Sequence, residues 1–588
     1  MAKVTYKVTE GNLYFDPDTG IILGCEKKIR NLVIPSRLGG RPVTGIAEGA
    51  FFWHKKLQSV EIPEGVTSIG EKAFDCCYGL EAVLLPSTLK QIGKFAFQDC
   101  LALRHIQLPG GLEDIGERAF MNCHALPGVA VPVPELANAV FAGCKMLQAV
   151  SLPPTLRTIG ENTFRGCAAL TGICLPESVT AIGSNAFMEC SSLKQIEIPA
   201  GVRKLETGVF WDCIALDSVT LHPGLEVIGD AAFKACKSLK QITIPYTVTA
   251  MGMDAFRACG LKEVAIPVGV EEIPTLAFAE CIELSQVRLH GMLKFIGVSA
   301  FHNCLALQQI KLPDSLKWLE EKAFYHTGLT QITIPGKLQK IPSLAFGQCR
   351  KLERVVLEPG VQQIGEHAFE CCDSLSELIL PDTLTIINLA AFFCCHALRS
   401  IEFPAGLQTI SESAFQHCRE LEEIRLPDGL QKIGPMAFAG TALTEVFVSD
   451  QLKSIGEGAF LVRKDEKNFR LRYGGTREQW SRLSLHSEMK SASPMITGKV
   501  KVHYGTTIVG SKRPSVPAAV PEVKPEPATP APEPEKNQKT AGEAPKPSQD
   551  APVEDPAGTA PLKPEHILKE PDSLVGKLAA AIIRRMSK

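Results

Sequence analysis

Along most of the chain one arrangement of apolar and polar positions returns every 21 to 23 residues. It opens with an alternating run such as "LKQIEIP" (193–199), the pattern of a half-buried strand, usually closed by a proline. A proline at the strand exit lets the chain turn a corner. An aliphatic residue, commonly followed by Gly, leads into a segment that carries Ala-Phe and then a Cys. "SIGEKAFDCC" (68–77) thus returns as "QIGKFAFQDC", "DIGERAFMNC", "TIGENTFRGC" and "AIGSNAFMEC". One unit reads as a short strand, a corner, an Ile-Gly turn and a tight helical or irregular segment.

Aligned on its phenylalanine, the unit occurs 19 times, at Phe51, Phe74, Phe97, Phe120, Phe141, Phe164, Phe187, Phe210, Phe233, Phe256, Phe278, Phe301, Phe324, Phe346, Phe369, Phe392, Phe415, Phe438 and Phe460. The residue five before each Phe is apolar in every copy, and in 16 copies the residue just before it is Ala. A piece this small cannot bury its own apolar face, so stacked copies must bury it, with Leu, Ile, Phe and Cys each forming a column. The fold class expected is an α/β repeat solenoid. With strands about 4.8 Å apart, 19 units make a curved body on the order of 90 Å long.

The columns decide how the 20 cysteines are read. Fifteen fall three residues after a repeat Phe: Cys77, Cys100, Cys123, Cys144, Cys167, Cys190, Cys213, Cys236, Cys259, Cys281, Cys304, Cys349, Cys372, Cys395 and Cys418. A chemical site is not built fifteen times over, and a buried free Cys behaves as a small hydrophobe. Zinc needs clustered Cys or His, and the chain has neither CxxC nor paired His to supply it. So many equivalent thiols point to a reducing compartment. Cys76, Cys371 and Cys394 sit one residue earlier and are expected to face outward. Cys174 in "GICLP" is expected on the exposed strand face, and Cys25 is left undecided.

Charge adds little, with 62 basic against 64 acidic residues and a pI near 6.7. No attraction to nucleic acid follows. The first 20 residues contain no apolar signal core, and nowhere do about 18 uncharged apolar residues run together. A cytoplasmic location is the expectation, with a cell-surface location by a non-classical route as the alternative.

Residues 1–50 read as an N-terminal cap and first strand, 51–460 as the repeats and 461–508 as a C-terminal cap. In the last of these Tyr473, Trp480 and Tyr504 are expected to seal the final coil. Its basic residues, Arg463, Lys464, Lys467, Arg470, Arg472, Arg477 and Arg482, read as a solvated face. Residues 509–564 form a Pro/Ala/Glu-rich linker, with 14 prolines and no aromatic between Pro514 and Pro564, a composition that cannot pack a core. Residues 565–588 end in a short basic amphipathic helix, with Leu574, Val575, Leu578, Ile582 and Met586 on one side. Such a helix suits weak contact with a partner groove or an anionic membrane, or is simply a frayed end.

No GxSxG, GxxxxGK[ST] or HExxH motif is present, and the 13 histidines share no register. The chain is not expected to be an enzyme or to hold a cofactor or metal. Binding would use the strand residues that alternate with buried aliphatics: Ser59 and Glu61, His105 and Gln107, Gln195 and Glu197, Ser218 and Thr220, Gln241 and Thr243, Gln286 and Arg288, Gln309 and Lys311, Gln331 and Thr333, Glu423 and Arg425, Glu445 and Phe447. This face is polar, mixed in charge and poor in aromatics, so it names no ligand. A protein partner, bound by a monomeric scaffold, is the expectation.

In outline the unit is L-x-x-I-x-I-P-x-x-L-x-x-I-G-x-x-A-F-x-x-C, which resembles the BspA-type leucine-rich repeats, also called the Treponema pallidum type, over roughly residues 29 to 460. The unit lacks the Asn of ordinary leucine-rich repeats, since Gly65, Thr88 or Gly111 stands there. The resemblance implies a curved leucine-rich-repeat array of bacterial or protozoan type. It also implies, as the alternative function, an exported or surface-associated adhesin that binds host or neighbouring-cell proteins. The segment after Phe460 is similar to the closing segment of this family.

Overall fold

The structure is a computed structural model of the chain, and it describes residues 3–461, 469–485 and 501–505. All of these belong to one compact unit. The linker and the terminal basic helix expected from the sequence lie outside the described residues, as do Arg463, Lys464 and Lys467.

Each repeat makes one turn of a solenoid. Its first side is a strand of two to four residues, and equivalent strands pair in parallel and in register, as Ser59–Glu61 does with Asn31–Val33 and with Ala82–Leu84. After the proline corner the chain enters a second, two-residue strand. Lys340–Ile341, Gln363–Ile364, Ile386–Ile387, Thr409–Ile410, Lys432–Ile433, Ser454–Ile455 and Ser484–Leu485 form one such ladder of seven. Where glycine follows, the neighbouring coil packs tightly on it: a Cβ on Gly93 would stand 2.7 Å from Glu71 N and from Gly70 C.

The third side is irregular rather than helical. In each coil the N–H groups two before the Phe, at the Phe and two after it donate to carbonyls of the next coil. Lys72, Phe74 and Cys76 donate in this way to Lys94, Ala96 and Gln98 at 2.7–2.9 Å. The two flanking positions adopt left-handed backbone, as at Lys72 (φ 53°) and Cys76 (φ 60°). That alternation turns successive N–H groups along the array and prevents an α-helix. Residues Arg477–Arg482 form the one α-helix among those described, α1, opened by a Thr476/Gln479 capping box.

Inside, the 19 phenylalanines stack face to face along the array, with ring centroids 4.9–5.9 Å apart and planes within 17°. All are buried. At one end a meander of antiparallel strands, β1 (Val4–Val8), β2 (Gly11–Asp16) and β3 (Ile21–Cys25), joins the second ladder through β3 and Gly45–Ile46. At the other, Phe469 continues the stack 5.8 Å from Phe460. Strand Arg470–Tyr473 pairs with Glu445–Val448 and Lys501–Tyr504, so a further coil closes the array with α1 in place of the irregular side. Tyr473 is buried and meets Trp480 edge-on at 5.1 Å, whereas Tyr504 stays exposed.

The Cys column has a specific bonding role. Every one of the 15 rung thiols lies within hydrogen-bond reach of the carbonyl of the preceding coil's Phe, from Cys77 Sγ to Phe51 O at 3.2 Å through Cys418 Sγ to Phe392 O at 3.2 Å. The same carbonyl accepts the N–H of its own coil's Cys, as Phe74 O does from Cys77 N at 3.1 Å. Burial pushes the Cys77, Cys144 and Cys190 thiols up to about 12, which keeps the donating S–H in place. Among the described residues, three coils use another residue at this position. His54 fills the position in the first, with Nε2 3.1 Å from Glu26 O. Thr327 reaches Cys349 Sγ at 3.1 Å, and Thr441 donates to Phe438 O at 2.8 Å.

Cys174 is exposed, Cys371 and Cys394 are half-buried, and Cys25 is buried. Cys76 departs from the outward expectation. It is only 8% exposed, with its thiol donating to Asp75 Oδ1 at 3.4 Å and within reach of Asp99 Oδ2 at 3.9 Å. No helix among the described residues is long and apolar enough to cross a membrane.

Candidate protein-interaction face

The first strand ladder is the side on which the sequence places its binding residues. Gln195 and Glu197, Gln286 and Arg288, Gln331 and Thr333, and Glu423 and Arg425 all lie in strands and are exposed. His105 lies in a strand and Gln107 just beyond one, and both are half-buried. Burial pushes the His105 imidazole below its usual range, helped by Arg104, so it is neutral near pH 7. Glu445 is exposed, with Phe447 half-buried beside it. Gln241, Thr243, Gln309 and Lys311 are exposed but lie outside the strands. Ser59 departs from its expected exposure. It is fully buried, donating to Asn31 Oδ1 at 2.8 Å, because the N-terminal strand Asn31–Val33 pairs over it.

Charges on this face are largely matched between coils. Glu197 meets His222 Nε2 at 2.8 Å, Glu377 meets Arg354 at 2.9 Å and Glu445 meets Arg472 at 2.6 Å. Exposed pairs of this kind contribute about 0–1 kcal/mol each, and they leave no strong field to select a charged ligand.

The ladder is not continuous, and its openings matter more than its charges. Residues 241–244 pair with neither Ser218–Thr220 nor Glu263–Ala265. There the face opens into a groove of about 510 Å³ with Val219, Ile242, Ile244 and Val264 in its floor and Gln241, Thr243, Glu263 and Arg288 among its rim. Ile242 and Ile244 are half-exposed, whereas the equivalent Ile196 and Ile198 are buried. A second groove of about 440 Å³ forms around Gln309–Leu312, between Val287 and Thr333.

The aliphatic floor of the first groove was missed by reading only the polar positions. The signal available was coil length. Between Phe256 and Phe278, and again between Phe324 and Phe346, the repeat is 22 residues, because one residue is lost between the rung position and the next Leu, at Cys259–Leu261 and Thr327–Leu329. Each shortened coil opens the ladder on its N-terminal side. The third, Thr441–Leu443, does the same between Glu423–Arg425 and Glu445–Val448.

On the opposite, irregular side, Asp75, Cys76 and Asp99 bring ligand-bearing atoms within 4.8 Å of one another. Burial pushes the Asp75 carboxyl up, the Cys76 thiol bond acts the other way, and the Asp99 charge adds to the rise. Asn122 Nδ2 donates to Asp99 Oδ1 at 2.8 Å.

The model of the BspA type leucine-rich repeat region matches residues 25–147, 128–240, 226–353, 271–398 and 339–465. The chain belongs to this family. Solved structures similar to this BspA-type array include a leucine-rich repeat protein from Bacteroides ovatus, 22% identical over 85% of this chain and 99% of that one, with a TM-score of 0.37. A leucine rich cell surface protein from Faecalibacterium prausnitzii is 23% identical over 83% and 100%, with a TM-score of 0.27. The T. pallidum leucine-rich repeat protein is 26% identical over 42% and 86%, with a TM-score of 0.22. No curated protein matches the chain. Leucine-rich repeats of this BspA type form scaffolds that generally mediate protein–protein interaction.

Proposed function

We propose that the chain is a non-enzymatic scaffold that binds a protein partner along its first strand ladder, with the groove at Gln241–Ile244 as the centre of contact. The observation that carries this reading is the half-exposed aliphatic floor of Val219, Ile242 and Ile244 beneath a polar rim. Apolar anchors in a recess, ringed by hydrogen-bonding groups, are the arrangement that concentrates binding energy at protein interfaces. The proposed compartment is a reducing cytoplasm, because the ladder of S–H donors works only while its thiols stay reduced.

A photo-crosslinking residue at Gln241 or Gln309 in producing cells tests the site. It should give a discrete crosslinked protein, and the same residue at exposed Met253 on the irregular side should not. Equal crosslinking from both sides would sink the proposed face. Fractionation tests the compartment: protease-accessible chain on intact cells would overturn a cytoplasmic location.

A further inference from the structure

We propose that Cys371 and Cys394 form a reversible disulfide between adjacent coils, with a small-molecule disulfide of the glutathione type as oxidant. Each stands two residues after its repeat phenylalanine, Phe369 or Phe392, and each has left-handed backbone, φ 54° and 60°. The Cys371 N–H donates to Phe393 O at 2.7 Å, and the Phe369 and Phe392 rings stack at 5.2 Å, so the two cysteines occupy equivalent places on touching coils. A coil spacing of about 4.8 Å lies within the Cα separations, roughly 4.4–6.8 Å, that a disulfide spans. Cys371 lies near enough to Cys394 to help raise its thiol.

Access separates this pair from the other cysteines. Cys372 and Cys395, one residue further on, are fully buried and directed at the Phe346 and Phe369 carbonyls. Cys174 is exposed, but the equivalent position of the next coil is Glu197. Cys76 is buried, with Asp99 at its equivalent position. Cys371 and Cys394 are both half-exposed, so an oxidant can reach them and either can then reach the other.

The chemistry balances in two exchanges. One thiolate attacks the oxidant, forming a mixed disulfide and releasing one small thiol. The neighbouring thiolate then attacks the protein sulfur of that bond, closing the Cys371–Cys394 disulfide and releasing the second small thiol. The protons lost by the two cysteines end on the two released thiols, and the oxidant takes up both electrons. In-register side chains stand wider apart than the ~3.8 Å Cβ separation of a relaxed disulfide, so the bond forms under local strain and excess thiol readily reverses it. Cys371 faces Glu370, Asp373, Gln348 and Arg350, and Cys394 faces Cys371, Cys418 and Arg419. Burial raises both thiols, Cys394 to about 11, so closure accelerates as pH rises and thiolate appears.

The test incubates the full chain with oxidised glutathione at mildly alkaline pH, quenches with acid and maps disulfides by mass spectrometry. The expected result is a crosslink joining the peptides that hold Cys371 and Cys394, lost again with dithiothreitol. In Cys371→Ser, Cys394 should instead retain glutathione. Modification of Cys174, the exposed thiol, verifies that the oxidant was active. The proposal is overturned if, in the same sample, Cys371 and Cys394 stay free, or if either keeps glutathione in the unmutated chain.

Discussion

Replacing Phe256 with Ala probes the stack near its middle. The ring is fully buried, 5.3 Å from Phe233 at 8° and 5.4 Å from Phe278 at 0°. Burying a Phe side chain contributes about 1.5–3 kcal/mol. Each aromatic contact adds about 0.5–1.5 kcal/mol, so two lost contacts bring the total to about 2.5–6 kcal/mol. Measured Phe→Ala losses in cores, about 3–5 kcal/mol, fall inside that range. Every coil touches only its two neighbours, so the loss falls on the two interfaces that flank this coil and should uncouple the halves on either side of it. Urea unfolding followed by circular dichroism should therefore change from a single transition to two, with the earlier one shifted to lower denaturant. A loss below about 1 kcal/mol, typical of a surface substitution, would refute the claim that the stack carries the core.

Native protein treated with a bulky thiol reagent should react at Cys174, Cys371 and Cys394, with the 15 rungs protected until unfolding. Rapid labelling of rungs would contradict their burial. Asp75→Asn should stabilise the fold near pH 7. Burial raises the Asp75 carboxyl, so its folded form binds protons more readily than the unfolded chain, and the cost it imposes when charged disappears as pH falls through the raised value. The gain from Asn should accordingly shrink in melts at about pH 4, and a gain independent of pH would rule this account out. Thr327→Val removes the hydroxyl beside Cys349 and should cost about 1 kcal/mol by chemical denaturation. No change at all would mean that the bond contributes nothing.

The solenoid was legible because its columns repeat: an apolar residue five before each Phe can only be explained by a shared packed environment, and the structure buries Phe and aliphatic together. What a single residue does within its column was harder to read. The pattern that makes Cys76 look outward ignores Asp75 beside it and Asp99 of the next coil, whose carboxylates lie against the thiol. Ser59 alternates correctly with Val60 yet is buried, because the N-terminal strand adds a neighbour on that face. The three 22-residue coils, and the 21-residue coil between Phe120 and Phe141 that holds Gly128–Ala130, mark ladder openings that length alone reveals. The opening between Glu377–Ile379 and Ser400–Glu402 falls in a coil of ordinary length and carries no such mark.

On the irregular side, the bonds donated two before each Phe, at the Phe and two after it all run from an N–H to a carbonyl of the following coil. The array therefore has a polarity, like a filament with unlike ends, and its first coil turns acceptors toward whatever precedes it. A terminator there must bring donors, and Lys27 does so, its Nζ donating to Phe52 O at 2.5 Å. Because each internal coil receives and offers the same set of bonds, whole coils can be duplicated or lost within the array without leaving a group unmatched. The two terminators have no such freedom: exchanged end for end, the one at the start would set donors against donors.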